Sequence, residues 1–381
     1  MRDKHSIVVT CFPRISDILE EELLALGYNI LYKDKTNIRI NGDWNDIMKL
    51  NLKLRSANRV LWEIASFNVV TPDQLYEAVK KIKWHTLIPK NGYFSIQSYV
   101  KNDYIKDTRF ANLKVKDAIV DYHYDLFGSR PDSGSDLSKT VIYLHWINNK
   151  ASLYFDTSGE SLSKHGYRKD PWKAPMNESL AAATILKTDW NPETGNFINP
   201  MCGSGTLAIE AAMIAANIPA GWNRKNFGFM HIIGFNQLQW SKVRTEAKSK
   251  FTSPKIEIIA TDLHPKAIEI AKKNATLAGV DKYISFSICD FRDTPVPGNG
   301  GVVFLNPEYG ERLGEEKGLS LIYKAIGDFF KQKCNGYTGY IFTGNLKLAK
   351  VVGLKPNRKY EFLNAKIDSR LIEYELYQGK K

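Results

Sequence analysis

Two short runs in this chain carry side chains whose types and spacing could do chemistry. The first, Asn199-Pro200-Met201-Cys202-Gly203-Ser204-Gly205-Thr206, leaves a strand-like run and opens a helical pattern. Glycines there let the backbone approach a ligand closely, and the helix start offers N–H groups to a carboxylate or phosphate. The second, Asn306-Pro307-Glu308-Tyr309-Gly310, follows the strand-like run Gly301–Leu305. An exocyclic base amine is a poor nucleophile, because its lone pair is delocalised into the ring. Two oxygen acceptors gripping its N–H bonds localise that pair and aim it at an electrophilic methyl group. The Asn306 side-chain oxygen and the Pro307 carbonyl could supply those acceptors while Tyr309 stacks on the base. Holding an amine in line is positioning catalysis and needs no strong general base. A base reached this way is unpaired or flipped out. In isolation, Asn-Pro equally starts an ordinary turn.

Two further carboxylates stand at strand ends. Ala260-Thr261-Asp262 places Asp262 where ribose hydroxyls would lie, and Cys289-Asp290-Phe291 offers Asp290 to an adenine amine with Phe291 to cover the ring. With Asn199, Pro200, Gly203, Gly205 and Thr206, they describe a site for an adenosine-containing cofactor whose sulfonium methyl the amine attacks, S-adenosylmethionine. Gly203-x-Gly205-x-x-Ala208 also fits a dinucleotide fingerprint, which expects its acidic residue about 20 positions on. Here the first acidic strand end comes much later, at Asp262.

The elements that must position these residues follow from periodicity. Strand and helix patterns alternate from Asn177 onward: a strand ending at Phe197–Asn199, helix Thr206–Ala216, strand Ile256–Thr261, helix Lys266–Ala278, strand Gly301–Leu305, helix Leu319–Lys331, strand Gly339–Thr343, then two closing strands. Such repeats imply an α/β, doubly wound, Rossmann-like sheet with its ligand at the carboxyl ends of the strands. Residues 1–60 and 61–159 read as two smaller α/β units. The second holds helices Gln74–Ile82 and Asn112–Phe127 and a hairpin turning at Asn148-Asn149. Residues 160–176 read as a polar linker with a basic cluster, Lys164, Arg168, Lys169 and Lys173, placed to meet RNA. Trp172, Trp190, Trp222 and Trp240 could stack on bases or fill cores.

Composition bounds the rest. The 381 residues are 43% hydrophobic, enough for ordinary buried cores, and carry a net charge of +12 that invites a polyanion. Residues 1–165 hold 23 Lys+Arg against 20 Asp+Glu, so the excess sits mainly on the later half. No run approaches the roughly 18 apolar residues of a membrane span, and the start lacks a signal-peptide core. Four scattered cysteines give neither a disulfide framework nor a zinc site, and no H-E-x-x-H occurs, so neither a metal nor a membrane is expected and the cytoplasm is. Cys202 reads as a small packing residue, since no base stands beside it.

The two runs, with Glu311-Arg312-Leu313 completing the second, resemble the THUMP-containing RNA guanine-N2 methyltransferases, with RlmL-type enzymes of large-subunit ribosomal RNA the nearest fit. Leu54–Leu61, Val115–Asp121, Phe155–Leu162 and Lys164–Glu178 extend the resemblance along the chain. It implies a ferredoxin-like domain, a THUMP domain docking structured RNA, and a class I methyltransferase domain over 177–381. It further implies Gly203, Gly205 and Asp262 at methionine and ribose, Asp290 at adenine, and Asn306, Pro307 and Tyr309 at the guanine amine. Ribosomal RNA is expected ahead of transfer RNA, and a single methyltransferase domain implies one modification. Three positions depart from the pattern: Asn199 for a usual Asp, Glu308 for a second proline, and His264 for a frequent acid. Glu308 could accept from guanine N1–H and N2–H, or simply face solvent. The departures also leave open an RNA-binding protein with a weakened catalytic site, and Asn-Pro-x-Tyr is shared with DNA adenine methyltransferases.

Overall fold

The structure, a computed structural model, describes residues 5–172, 175–309 and 316–377. Within them the chain forms two compact units. One takes residues up to Cys11 with Leu19–Leu162 and Arg224–Glu246; the other takes Phe12–Ile18, Ser163–Asn223 and Ala247 onward.

The first unit is built on an eight-stranded sheet of β1 (His5–Cys11), β2 (Ile30–Lys33), β3 (Asn37–Gly42), β4 (Ala57–Asn68), β5 (Tyr93–Lys101), β6 (Asp132–Ser133), β7 (Thr140–Ile147) and β8 (Lys150–Asp156). Their order is β2-β3-β1-β4-β8-β7-β5-β6. The 12-residue β4 runs through the boundary expected near residue 60 and pairs with β1 on one side and β8 on the other. The two small α/β units therefore share one sheet. Arg59 and Glu63 interrupt the apolar alternation of β4, which hid it from periodicity. Helices start and stop where capping dictates. Asp43 and Asp46 form a reciprocal capping box at the start of helix Trp44–Lys53. Asp107 accepts from the Arg109 N–H, starting Thr108–Phe127 one turn earlier than the apolar pattern suggested, and left-handed Gly128 stops it. Asn148 turns the β7–β8 hairpin at φ 50°.

Residues 224–246, expected inside the C-terminal domain, pack with this first unit. The buried Arg224 guanidinium donates to the carbonyls of Ser161 (2.7 Å), Glu160 (2.8 Å) and Ser158 (3.1 Å). A Cβ at Gly228 would stand 2.3 Å from the Asp156 carbonyl, so only glycine permits this approach. Phe227, Phe229 and Trp240 pack face and edge behind it.

The second unit holds a seven-stranded sheet of β9 (Asn196–Pro200), β10 (Ile258–Asp262), β11 (Ser285–Ile288), β12 (Gly301–Leu305), β13 (Tyr337–Thr343), β14 (Arg358–Asn364) and β15 (Ile367–Glu375). The order is β11-β10-β9-β12-β13-β15-β14, with β9–β13 mutually parallel and β15 antiparallel to β13. Ile198, Val303, Leu305 and Ile341 of the strands form its core with Tyr323 and Phe330 of helix Glu316–Lys333. Strand order reverses between β9 and β12. A doubly wound sheet opens a crevice at that switch point, because the following helices leave to opposite faces.

Candidate active site

The crevice at this switch point is a cavity of about 510 Å³, within the range of small-molecule sites. Gly203, Thr206, Asp262, Asp290, Phe291, Asn306, Pro307 and Glu308 line it, joining the ends of β9, β10, β11 and β12. Those residues are up to about a hundred positions apart in sequence, and parallel strand ends bring them together.

The loop after β9 is set by backbone geometry. Met201, Gly203 and Gly205 have φ of 55°, 55° and 80°, a left-handed region that costs a side-chain residue about 1–2 kcal/mol. This curl aims the Gly203 N–H at Asp262 Oδ2 (3.0 Å), while the His264 N–H reaches Asp262 Oδ1 (2.9 Å). Each carboxylate oxygen keeps lone-pair capacity for another donor. Where a Gly203 Cβ would stand, only Trp172 Cδ1 lies within 4 Å, so the backbone is open to the cavity. Gly205 does something different. It does not line the cavity, and its Cβ would lie 2.9 Å from Ala271 Cβ, so it lets helix Thr206–Ala215 meet helix Pro265–Ala278.

Asn199 departs from its expected role. It is fully buried, does not line the cavity, and its Nδ2 donates to the Phe304 carbonyl (2.8 Å), tying β9 to β12 just beyond their ladder. An ionised aspartate could not donate there, which gives the amide at this position a structural reason. Pro200 likewise closes β9 without lining the cavity.

Asp290 caps the short helical turn Phe291–Asp293 and takes the Arg292 guanidinium in a two-pronged bond, Nε to Oδ1 and Nη2 to Oδ2, both 2.8 Å. The Arg292 side chain is the main cause holding the Asp290 carboxyl below its usual range. Phe291 is 9% exposed and meets Phe329 edge-on. Burial, reinforced by Asp262, pushes the Cys202 thiol far above its ordinary range, which suits packing rather than nucleophilic attack.

Asn306 lines the β12 end of the cavity, and its Oδ1 is buried and without a hydrogen-bond partner among the described residues. A buried acceptor left unmade costs about 1–3 kcal/mol. Pro307 is buried beside it and exposed Glu308 stands at the rim. Tyr309 does not line the cavity. Its hydroxyl accepts from Asn364 Nδ2 (2.8 Å) and its ring packs over Gly344, where a Cβ would be 3.2 Å away. Base stacking by Tyr309 therefore requires a side-chain movement from this position.

The basic cluster divides. Lys164 and Lys169 are exposed, whereas Arg168, expected to meet RNA, turns inward to the Met176 carbonyl and the Thr206 hydroxyl. Lys173 lies outside the described residues, as do Gly310 and Glu311-Arg312-Leu313. The sequence reading missed Met176, Leu263, His264 and Leu321 as cavity residues, although Leu263 directly follows the acidic strand end. Trp190 and Trp240 are core residues, while Trp172 lines the cavity 6.0 Å from the His264 ring. Among the described residues no cluster of His, Cys, Asp and Glu could hold a metal ion, and no helix is long and apolar enough to cross a membrane.

Known proteins are similar to this chain in sequence and fold. Three family models match in order: an RlmL ferredoxin-like domain over residues 6–61, a THUMP domain over 70–156, and an RMKL-like methyltransferase domain over 165–373. Ribosomal RNA large subunit methyltransferase K/L of Syntrophotalea carbinolica is 34% identical over 376 residues, covering 96% of this chain and 53% of that protein. Its namesake from Cellvibrio japonicus is 34% identical over 385 residues, covering 98% and 51%. The chain thus spans about half the length of the curated relatives it matches. Among solved structures, SMU.472 in complex with SAH superposes with a TM-score of 0.88 at 27% identity, covering all of both chains. A protein described as a possible methylase from Clostridium difficile 630 gives 0.88 at 31%, again over both whole chains. With the methyltransferase model spanning 165–373 and both N-terminal models in sequence before it, the chain belongs to the RMKL-like methyltransferase family.

Proposed function

We propose that the protein transfers a methyl group from S-adenosylmethionine to the exocyclic N2 amine of a guanine in structured RNA, with large-subunit ribosomal RNA as substrate. The observation that carries the reading is Asn306, which lines the same cavity as Gly203 and Asp262 and whose buried Oδ1 has no hydrogen-bond partner among the described residues. The curated relatives named for large-subunit ribosomal RNA and the SAH-bound neighbour support it. The THUMP match supports RNA as the docking partner of the first unit.

The residues fit the cofactor. The open backbone at Gly203 and the start of helix Thr206–Ala215 would take the methionine end, where N–H groups and the helix dipole favour a carboxylate. Asp262 would accept from ribose hydroxyls, and Asp290 with Phe291 would hold the adenine. When bound, the cofactor supplies an electrophilic methyl group. Asn306 Oδ1 and the Pro307 carbonyl would accept the two N2–H bonds, pyramidalise the nitrogen and orient its lone pair. Tyr309 would swing from its Asn364 bond to cover the guanine. Lys164 and Lys169 would screen phosphates, releasing counterions.

The test is transfer of labelled methyl from S-adenosylmethionine to unmodified ribosomal and transfer RNA, followed by nucleoside analysis. Label is expected in N2-methylguanosine of ribosomal RNA. Asn306→Ala should lower transfer by about 100-fold or more, the scale for losing a preorganised polar contact to the reacting group. Cofactor binding without label in either RNA would instead mark a binding protein.

A further inference from the structure

Within the second unit, the segment entering the catalytic fold is pinned to the cofactor loop by buried polar groups. His165 Nδ1 (2.7 Å) and the Tyr167 hydroxyl (2.8 Å) both meet Glu210 Oε1 on helix Thr206–Ala215. Asn274 Nδ2 donates to the carbonyls of Asp170 and Ser204, each at 3.2 Å. Between these stations lies Arg168, its side chain 13% exposed. Nη2 donates to Thr206 Oγ1 at 2.8 Å and to the Met176 carbonyl at 2.6 Å, and Nη1 stands 3.7 Å from Glu178 Oε2.

We propose that Arg168 is a positioning residue of the cofactor site, fixing the Thr206 hydroxyl as a hydrogen-bond donor toward the anionic end of the cofactor. The inference rests on the methyltransferase reading above and adds a residue and a role to it. A guanidinium only donates and stays charged. Thr206 Oγ1 must therefore accept from Arg168, and its own hydrogen points elsewhere. Thr206 is the first residue of its helix, is 5% exposed and lines the cavity, and its other hydroxyl neighbour is Ser204 Oγ at 3.4 Å. A cationic partner behind the oxygen polarises the O–H bond and strengthens it as a donor. The same charge reinforces the positive end of the helix dipole. Glu178, beyond hydrogen-bond distance, offsets that charge without displacing either bond. The bond to the Met176 carbonyl also holds the stretch that brings Pro175 and Met176 to the cavity wall.

The test compares two ligands on the full chain by calorimetry: SAH, and methylthioadenosine, which lacks the amino-acid end. Arg168→Met and Thr206→Val should each weaken SAH about 10- to 100-fold, the scale of a lost charge-assisted bond. Methylthioadenosine should change by less than about twofold in both variants, and Thr206→Ser should restore SAH binding to within about threefold of wild type. The KM for S-adenosylmethionine should rise with kcat little changed, and affinity for unmodified ribosomal RNA should hold. Equal weakening of both ligands would reduce Arg168 to a packing element and overturn the proposal. Loss of RNA affinity with SAH binding intact would return Arg168 to the RNA surface, with the same consequence. Failure of the wild-type protein to bind SAH would instead overturn the cofactor reading beneath it.

Discussion

At the residue scale, two titratable groups of the site are held in one protonation state by their surroundings. The Asp290 carboxyl lies below its usual value because Arg292 grips it, so it stays ionised well into mild acid. The Cys202 thiol lies far above its usual value because it is buried, so it stays neutral well into mild base. Neither group titrates between pH 6.5 and 8.5, and positioning of a neutral amine by Asn306 and Pro307 needs no general base. Single-turnover methyl transfer should therefore vary by less than about threefold over that range, measured by rapid quench. A tenfold rise toward high pH would mean that deprotonation limits the step and that the Asn306 account is wrong. Cys202→Ala should leave the rate within about threefold, since a neutral buried thiol contributes packing alone.

At the element scale, the active loop stands on close helix packing. Gly205 combines φ 80° with a Cβ position 2.9 Å from Ala271 Cβ. Gly205→Ala should cost roughly 2–4 kcal/mol, left-handed strain adding to overpacking against helix Pro265–Ala278. Urea titration checks this, and an unchanged midpoint would show that the helix pair relaxes freely. Gly203 shares the left-handed geometry but faces open space, so an alanine there should lose affinity for SAH by more than its smaller strain cost destabilises the fold. The two glycines look alike in the motif. Only their neighbours separate a packing glycine from a ligand-facing one.

At the scale of the whole molecule, a segment from late in the sequence completes an early unit. Residues 224–246 bring Arg224 to three carbonyls, and the Phe229 N–H bonds the Thr157 carbonyl at 2.9 Å. A fragment ending at residue 162 keeps all eight strands of the first sheet and loses these bonds. It should melt lower than the first unit of the full chain by several degrees, as loss of about 2–4 kcal/mol implies. Calorimetry with hydrogen exchange on β8 would read the difference, and equal protection would show that the segment is dispensable. The net charge of +12 belongs to this scale too: RNA affinity should fall steeply with salt, roughly as the number of phosphates neutralised.

The sequence by itself determined the alternating β and α order of the catalytic half, since helical and strand periods differ and each element buries a patterned face. It also pointed to some of the residues that line the cavity: Gly203, Asp262, Asp290, Phe291 and Asn306 all follow strands, and parallel strand ends converge at a switch point. What it did not determine were contacts between residues far apart in the chain. The amide of Asn199 reads as a missing carboxylate until Phe304 O is seen beside it. Arg168 reads as a surface base until Thr206 and Met176 are seen to accept hydrogen bonds from it. Tyr309 reads as a base-stacking ring, and only Asn364 and Gly344 show where it rests. Local patterns encode period, capping and turn, which act over a few residues. Side-chain direction and hydrogen-bond partners across strands are fixed by packing, and only the tertiary structure decided them.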